Sequence, residues 1–221
     1  MSQSTAIARL ALRELWISFR LLVLLVAFVA AGTLVALVPA PFPAQADRLV
    51  LGVTAASALA GALGAWSLAV ERRSGRAGWL VSRSVPRGTL LGGWFVGIAA
   101  STLAGLATTL ALGWLALPVG AVTDVARFGL VAAVLAAAAI SWVSLGLLAG
   151  TVAAPALASL SVLVAGAAVL AARSSGVLPD AAGWLFVHAA AGELLRLIGA
   201  LLALAGVLLA TAHVAMGRVE L

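Results

Sequence analysis

Between Glu71 and Trp94 the chain reads ERRSGRAGWLVSRSVPRGTLLGGW, a short segment holding Arg72, Arg73, Arg76, Arg83 and Arg87. Five arginines packed between two long apolar segments make this loop the natural handle for a partner protein. Trp79, Leu80 and Val81 stand between the arginines. An exposed apolar anchor with a charged rim has the composition of a docking surface. The same run could also rest in a bilayer interface, where tryptophan is enriched, with the arginines retaining topology. Glu71 opens the cluster, and its place predicts an ion pair with Arg72, Arg73 or an arginine nearer the N-terminus rather than a catalytic role.

Other residues with chemical potential are few. There is no cysteine, so disulfides and thiolate metal sites are excluded. His188 has no second ligand type beside it and predicts no metal site. Ser141 or Ser144 with His213 is the one conceivable nucleophile and base for an intramembrane protease. Neither serine lies in a GxSG, and His213 falls close to the end of its apolar segment. No GxxxxGK[ST] phosphate loop occurs, so the chain is not itself expected to hydrolyse ATP.

The elements that position these residues are set by composition. A mean hydropathy of +1.22 with 9% charged residues leaves too little polar surface to solvate a globule of 221 residues. Spans of roughly 20 apolar residues are needed to cross a bilayer, and alternating strands are absent, so the fold class is an all-α membrane protein in one transmembrane domain, 1–221. Six spans are predicted at about 21–38, 49–70, 90–116, 128–149, 156–172 and 194–215. The long apolar stretch 128–172 is divided at Gly150-Thr151 and Ala154-Pro155. Pro39, Pro41 and Pro43 predict a short extended turn between the first two spans. An alternative reading, a signal peptide cleaved after Ala44-Gln45-Ala46, is disfavoured by an apolar run longer than the usual one. No predicted span carries an ionisable side chain near its middle, which argues against a proton- or sodium-coupled carrier.

All thirteen basic residues are arginine, and they are unevenly divided. Arg9, Arg13, Arg20, Arg72, Arg73, Arg76, Arg83, Arg87 and Arg218 fall on the side of the termini, and Arg48, Arg127, Arg173 and Arg196 on the other. Asp47, Asp124, Asp180 and Glu193 cancel the second group, so the whole formal net charge of +6 sits on the first side. The positive-inside rule then predicts that both termini are cytoplasmic. A basic inner face suits anionic membrane lipid as well as protein. Before the first span, Arg9, Arg13 and Arg20 lie within about 40° on a helical wheel, with Trp16 in the same arc and Ile7, Leu12, Leu15 and Phe19 elsewhere. This predicts a helix over 5–20 lying on the cytoplasmic surface.

Two further patterns concern packing. Gly93 with Gly97 and Gly146 with Gly150 match GxxxG, and Ala56, Ala60 and Gly64 repeat small residues on one face, allowing close helix approach within the bundle or at a subunit interface. The segment 173–192, with Pro179, Trp184, Phe186 and His188, predicts a shallow re-entrant or interfacial hairpin, or anchoring by Trp184 alone.

An acidic residue ending the second span, then arginines and a glycine, then Trp-Leu-Val, then Pro86 and Arg87 leading into a Gly-containing third span: this order resembles the cytoplasmic loop of ABC transporter permeases of the type 2 exporter class. Those are six-span subunits with a surface helix at the N-terminus. The resemblance covers the topology of nearly the whole chain and about 24 residues of motif. The pattern departs from the family at Ser84, where many members carry proline, at Pro86, which is shifted two residues on, and at Gly93, where lysine is usual.

What the resemblance implies is a short coupling helix within 72–84 of a cytoplasmic loop 71–88, docking on a cytoplasmic nucleotide-binding ATPase subunit. Trp79 and Leu80 would be apolar anchors, Arg76 and Arg83 would face acidic positions on that partner, and Glu71, Arg72, Arg73, Gly75 and Arg87 would belong to the same coupling surface. ATP and Mg would be bound there, with no cofactor in this chain, and a second permease copy or paralogue would complete the pathway. Nucleic acid is not an expected partner. The expected place is a cell membrane, in bacteria the inner one, and no enzymatic role is expected of the chain itself. Similar in length are the haem-exporter permeases of cytochrome c maturation, and an accessory membrane subunit is a further alternative. A pathway of Ala, Leu, Val and Gly with few Ser and Thr favours an apolar or amphipathic cargo.

Overall fold

In a computed structural model of the chain, residues 3–38, 40–82, 85–116, 124–175 and 181–218 are described. Among them the chain is all helical, with α1 Gln3–Ile17, α2 Arg20–Leu37, α3 Phe42–Arg73, α4 Arg76–Ser82, α5 Arg87–Ala116, α6 Val125–Val152, α7 Pro155–Ser174, the short α8 Ala181–Gly183, a π-helical turn Trp184–His188, and α9 Ala191–Arg218. Six of these, α2, α3, α5, α6, α7 and α9, are long and apolar enough to cross a bilayer. By length and composition this is a multi-pass membrane protein.

Local chemistry explains where the helices start and stop. Asp124 opens α6 by accepting from the N–H groups of Ala126 (2.9 Å) and Arg127 (3.2 Å), two donors that lack helical partners. Pro155 follows the N-cap Ala154 of α7, where its missing N–H is no loss, and Ala153 and Ala154 are extended, which separates α6 from α7. The same logic corrects one expectation. Pro43 lies in the first turn of α3 rather than in an extended turn, although Pro41 before it is extended. Pro39 lies outside the described residues.

The predicted continuous helix over 5–20 is also corrected. The hydroxyl of Ser18 donates back to Glu14 O (2.6 Å), and Phe19 adopts φ 58°, a left-handed conformation that breaks the helical path. Arg20 therefore begins α2 and does not share a stripe with Arg9 and Arg13; its guanidinium donates to Ser67 Oγ on α3 (2.8 Å). On α1 the buried residues are Ile7, Ala8, Ala11 and Leu15, while Arg9, Arg13 and Trp16 are exposed.

Small residues set the packing. A Cβ on Gly146 would run into Gly61 O, and one on Gly150 would sit 2.7 Å from Ala65 O, so α3 and α6 run parallel with their backbones nearly touching. Gly105 gives α2 the same access to α5: a Cβ there would lie 2.6 Å from the Phe28 ring, and Thr109 Oγ1 donates to Phe28 O (2.6 Å). Gly93 and Gly97 accept α1, at Ile7 and Ala11. Both GxxxG pairs are thus occupied inside this chain. The Ala56, Ala60, Gly64 face is buried too, with Gly64 against Ile98. α3 and α6 are the most enclosed spans, and α7 and α9 leave most of their surface to the surroundings.

Candidate functional site

The arginine-rich loop is built by a helix stop and a restart. α3 ends at Arg73, Ser74 N–H donates to Val70 O, and Gly75 follows with φ 75°, a conformation that glycine adopts without the steric penalty of a Cβ. The chain then starts the seven-residue α4, with Trp79 N–H donating to Gly75 O (2.9 Å). Helix α4 turns Ala77 fully inward and packs Leu80 against the core, while Trp79 remains 57% exposed. Val85 N–H donates to Leu80 O (3.3 Å), after which Pro86 leads into α5. Of the predicted anchors, then, Trp79 faces outward and Leu80 faces the bundle.

Electrostatics in the loop differ from expectation in one central respect. Glu71 is only 4% exposed, and its Oε2 lies 3.5 Å from Arg76 Nη1, so its ion-pair partner is Arg76 rather than Arg72 or Arg73. The same Nη1 pairs with Glu14 Oε1 of α1. The hydrogen bond that Arg76 donates to Glu14 and the charges of Glu71 and Glu14 push the Arg76 guanidinium further above its ordinary range. Arg76 therefore meets its carboxylates within the chain, where a partner protein was expected to supply them. Glu14 is the residue that ties α1 to this loop. Its separation from Arg76 by 62 positions carries no local signal.

Two more of the predicted docking arginines act inside the bundle. Arg72 donates to Thr151 O and, at 3.2 Å, to Ala153 O, capping the C-terminus of α6. Arg87 donates to Met216 O (3.0 Å) and Gly217 O (2.6 Å), which caps α9. The carbonyls ending a helix carry partial negative charge and lack intrahelical donors, so a guanidinium satisfies both needs. Arg73, Gly75, Arg76 and Trp79 are exposed around α4, and Arg9, Arg13, Trp16 and Arg218 are exposed at the same end. Arg83 and Ser84 lie outside the described residues.

At the opposite end, Arg48 donates to Val38 O (2.8 Å), Arg127 to Ala189 O (3.0 Å), and Arg173 pairs with Asp47. Glu193 accepts from Ala190 N–H (2.9 Å) at the start of α9. The π-helical turn buries Leu185 and Phe186, with Phe186 edge-on to Phe42 at 6.1 Å, while Trp184 and His188 are exposed. Pro179 and Asp180 are outside the described residues.

The serine and histidine candidates are not brought together. Ser141 Oγ donates to Ala137 O (3.0 Å) and Leu201 O (2.9 Å), and Ser144 Oγ to Ile140 O (2.9 Å). His213 lies against Gly88, about 18 Å along α9 from Leu201 at 1.5 Å per residue. Among the described residues no group of His, Asp and Glu is placed to hold a metal ion. No protein-family model matches the chain, and a search of curated proteins finds no relative.

Proposed function

We propose that this chain is the membrane-spanning permease subunit of an ATP-driven ABC transporter, an exporter of an apolar or amphipathic cargo, coupled through α4 to a separate cytoplasmic ATPase. The observation that carries the reading is α4 itself: a one- to two-turn helix between two spans, set apart by a left-handed glycine, anchored inward by Ala77 and Leu80 and presenting Trp79 beside Arg73. An exposed tryptophan with a charged rim suits a groove on a folded partner. The excess of arginine at this end supports placing it, and both termini, in the cytoplasm, with α1 at the membrane surface in contact with lipid headgroups. In this reading two permease copies, or this chain and a paralogue, sit on two ATPase subunits that hold ATP and Mg. Closure of the ATPases moves α4, and the rigid bundle relays the movement.

The test is affinity purification of the tagged protein from its native membrane in mild detergent, with Trp79→Ala and Arg73→Ala variants alongside. Recovery of an ATPase with a phosphate loop by the wild type, and its loss from Trp79→Ala, is the expected result. Absence of any ATPase from the wild-type preparation would sink the permease reading and favour an accessory subunit. Arg76→Ala is unsuitable as the diagnostic variant, because it also breaks the contact with Glu14.

A further inference from the structure

Helix α7 is seated tightly along its first half and parts from its neighbours in the second. Ala158 and Val162 are buried, and a Cβ on Gly166 would lie 2.7 Å from Ala58 Cβ on α3. Past that point Leu170 and Arg173 line a cavity of about 220 Å³, bounded by Val50 and Thr54 of α3 and by Val134 and Ala138 of α6. The wall is apolar apart from two groups. Thr54 Oγ1 donates to Val50 O of its own helix (2.7 Å), and Arg173 Nη2 pairs with Asp47 Oδ1. Such a lining provides water with few of the two to four partners it needs.

The order of groups along the cavity is directional. Arg173 lines the cavity near the end of α7 and holds Asp47, which stands beside the lining near the start of α3, while Val50, Thr54 and Ala138 lie progressively deeper. Charge at the rim and hydrocarbon inward is also the order of groups in a phospholipid standing in a bilayer. The guanidinium fork suits phosphate oxygens, and the Asp47 carboxylate, 37% exposed beside it, suits an ammonium. A pair of opposite charges at the mouth therefore matches a headgroup that carries both. We propose that this cavity binds the headgroup-proximal part of one acyl chain of a zwitterionic, amine-headed phospholipid, with the phosphate on Arg173 and the ammonium on Asp47. The site is at the end of the bundle remote from α4, and the proposal holds whether or not an ATPase docks there.

The test uses the full chain in vesicles of phosphatidylethanolamine and phosphatidylglycerol, with a trace of phosphatidylethanolamine bearing a photoreactive group on its acyl chain. After illumination, adducts are mapped by mass spectrometry. The expected result is adducts concentrated on Val134, Ala138, Leu170 and their neighbours, lost in Ala138→Leu, which fills the cavity. An Asp47→Asn variant should lose the preference for phosphatidylethanolamine over phosphatidylglycerol. Adducts spread evenly over the outer faces of α7 and α9 in the wild type would overturn the proposal, and this arm needs no variant to fold. Equal displacement by a free fatty acid would overturn the assignment of the headgroup.

Discussion

The two ends of the bundle use arginine in the same way and differ in how many arginines stand exposed. At one end Arg48 and Arg127 reach terminal carbonyls, Arg173 pairs with Asp47, Asp124 and Glu193 satisfy helix starts, and a single arginine, Arg196, is exposed. At the other, Arg72 and Arg87 cap α6 and α9 in the same manner and Arg76 is held by Glu14 and Glu71. Yet Arg9, Arg13, Arg73 and Arg218 still stand exposed there, beside a short helix with an outward tryptophan. The comparison shows that a count of arginines overstates the charge offered to a partner. Helices that end near a bilayer must find donors for their last carbonyls, and nearby guanidinium groups supply them first.

Both ends hang on a common scaffold, so the largest effect comes from breaking that scaffold. Gly146→Leu forces a branched side chain into the backbone of Gly61 and should lose more than about 3 kcal/mol, read as a collapse of the monodisperse detergent-solubilised protein or a large fall in its melting temperature. Next, Arg72→Gln uncaps α6 and should destabilise by about 2 kcal/mol, whereas Arg48→Gln, with a single carbonyl partner at Val38, should lose about 1 kcal/mol. Equal losses at the two positions would mean that the ends are equivalent as structure and differ in charge alone.

Gly75→Ala strains the turn into α4 by about 1 kcal/mol, and because the strain falls on α4 it should lower ATPase recovery more than its effect on melting would suggest. The Glu14–Arg76 pair is partly exposed on both sides, so a double-mutant cycle with Glu14→Gln and Arg76→Gln should give a coupling of less than about 1 kcal/mol that shrinks with added salt. The smallest effect on stability belongs to Trp79→Ala, under about 0.5 kcal/mol, since that side chain is 57% exposed. A large fall in melting temperature for Trp79→Ala would mean that α4 is a structural plug and not a presented surface.

Much of the architecture was legible in composition and hydropathy because the constraint is severe. In lipid the backbone must close its hydrogen bonds within each span, so an apolar stretch of sufficient length is read directly as a helix, and the Ala-Pro at 154–155 as a stop and restart. The candidate site was less legible. The spacing of Arg9, Arg13 and Arg20 suggested one helical face, but a left-handed Phe19, a conformation uncommon for a bulky residue, divided it. Trp79 and Leu80 are alike by type as apolar anchors, but the rotation of α4 on the bundle turns one out and the other in.

What the sequence determined alone is the solvent of the chain, the number of long apolar helices and the division of charge between two ends, since these follow from sums over neighbouring residues. Which arginines are engaged, which glycines are touched by which helix, and that Glu14 holds Arg76 are pairings between residues tens of positions apart. Guanidinium groups are chemically alike at every position. Only the packed geometry decides which of them lies within 3 Å or so of a helix end that lacks a donor and which is left facing outward.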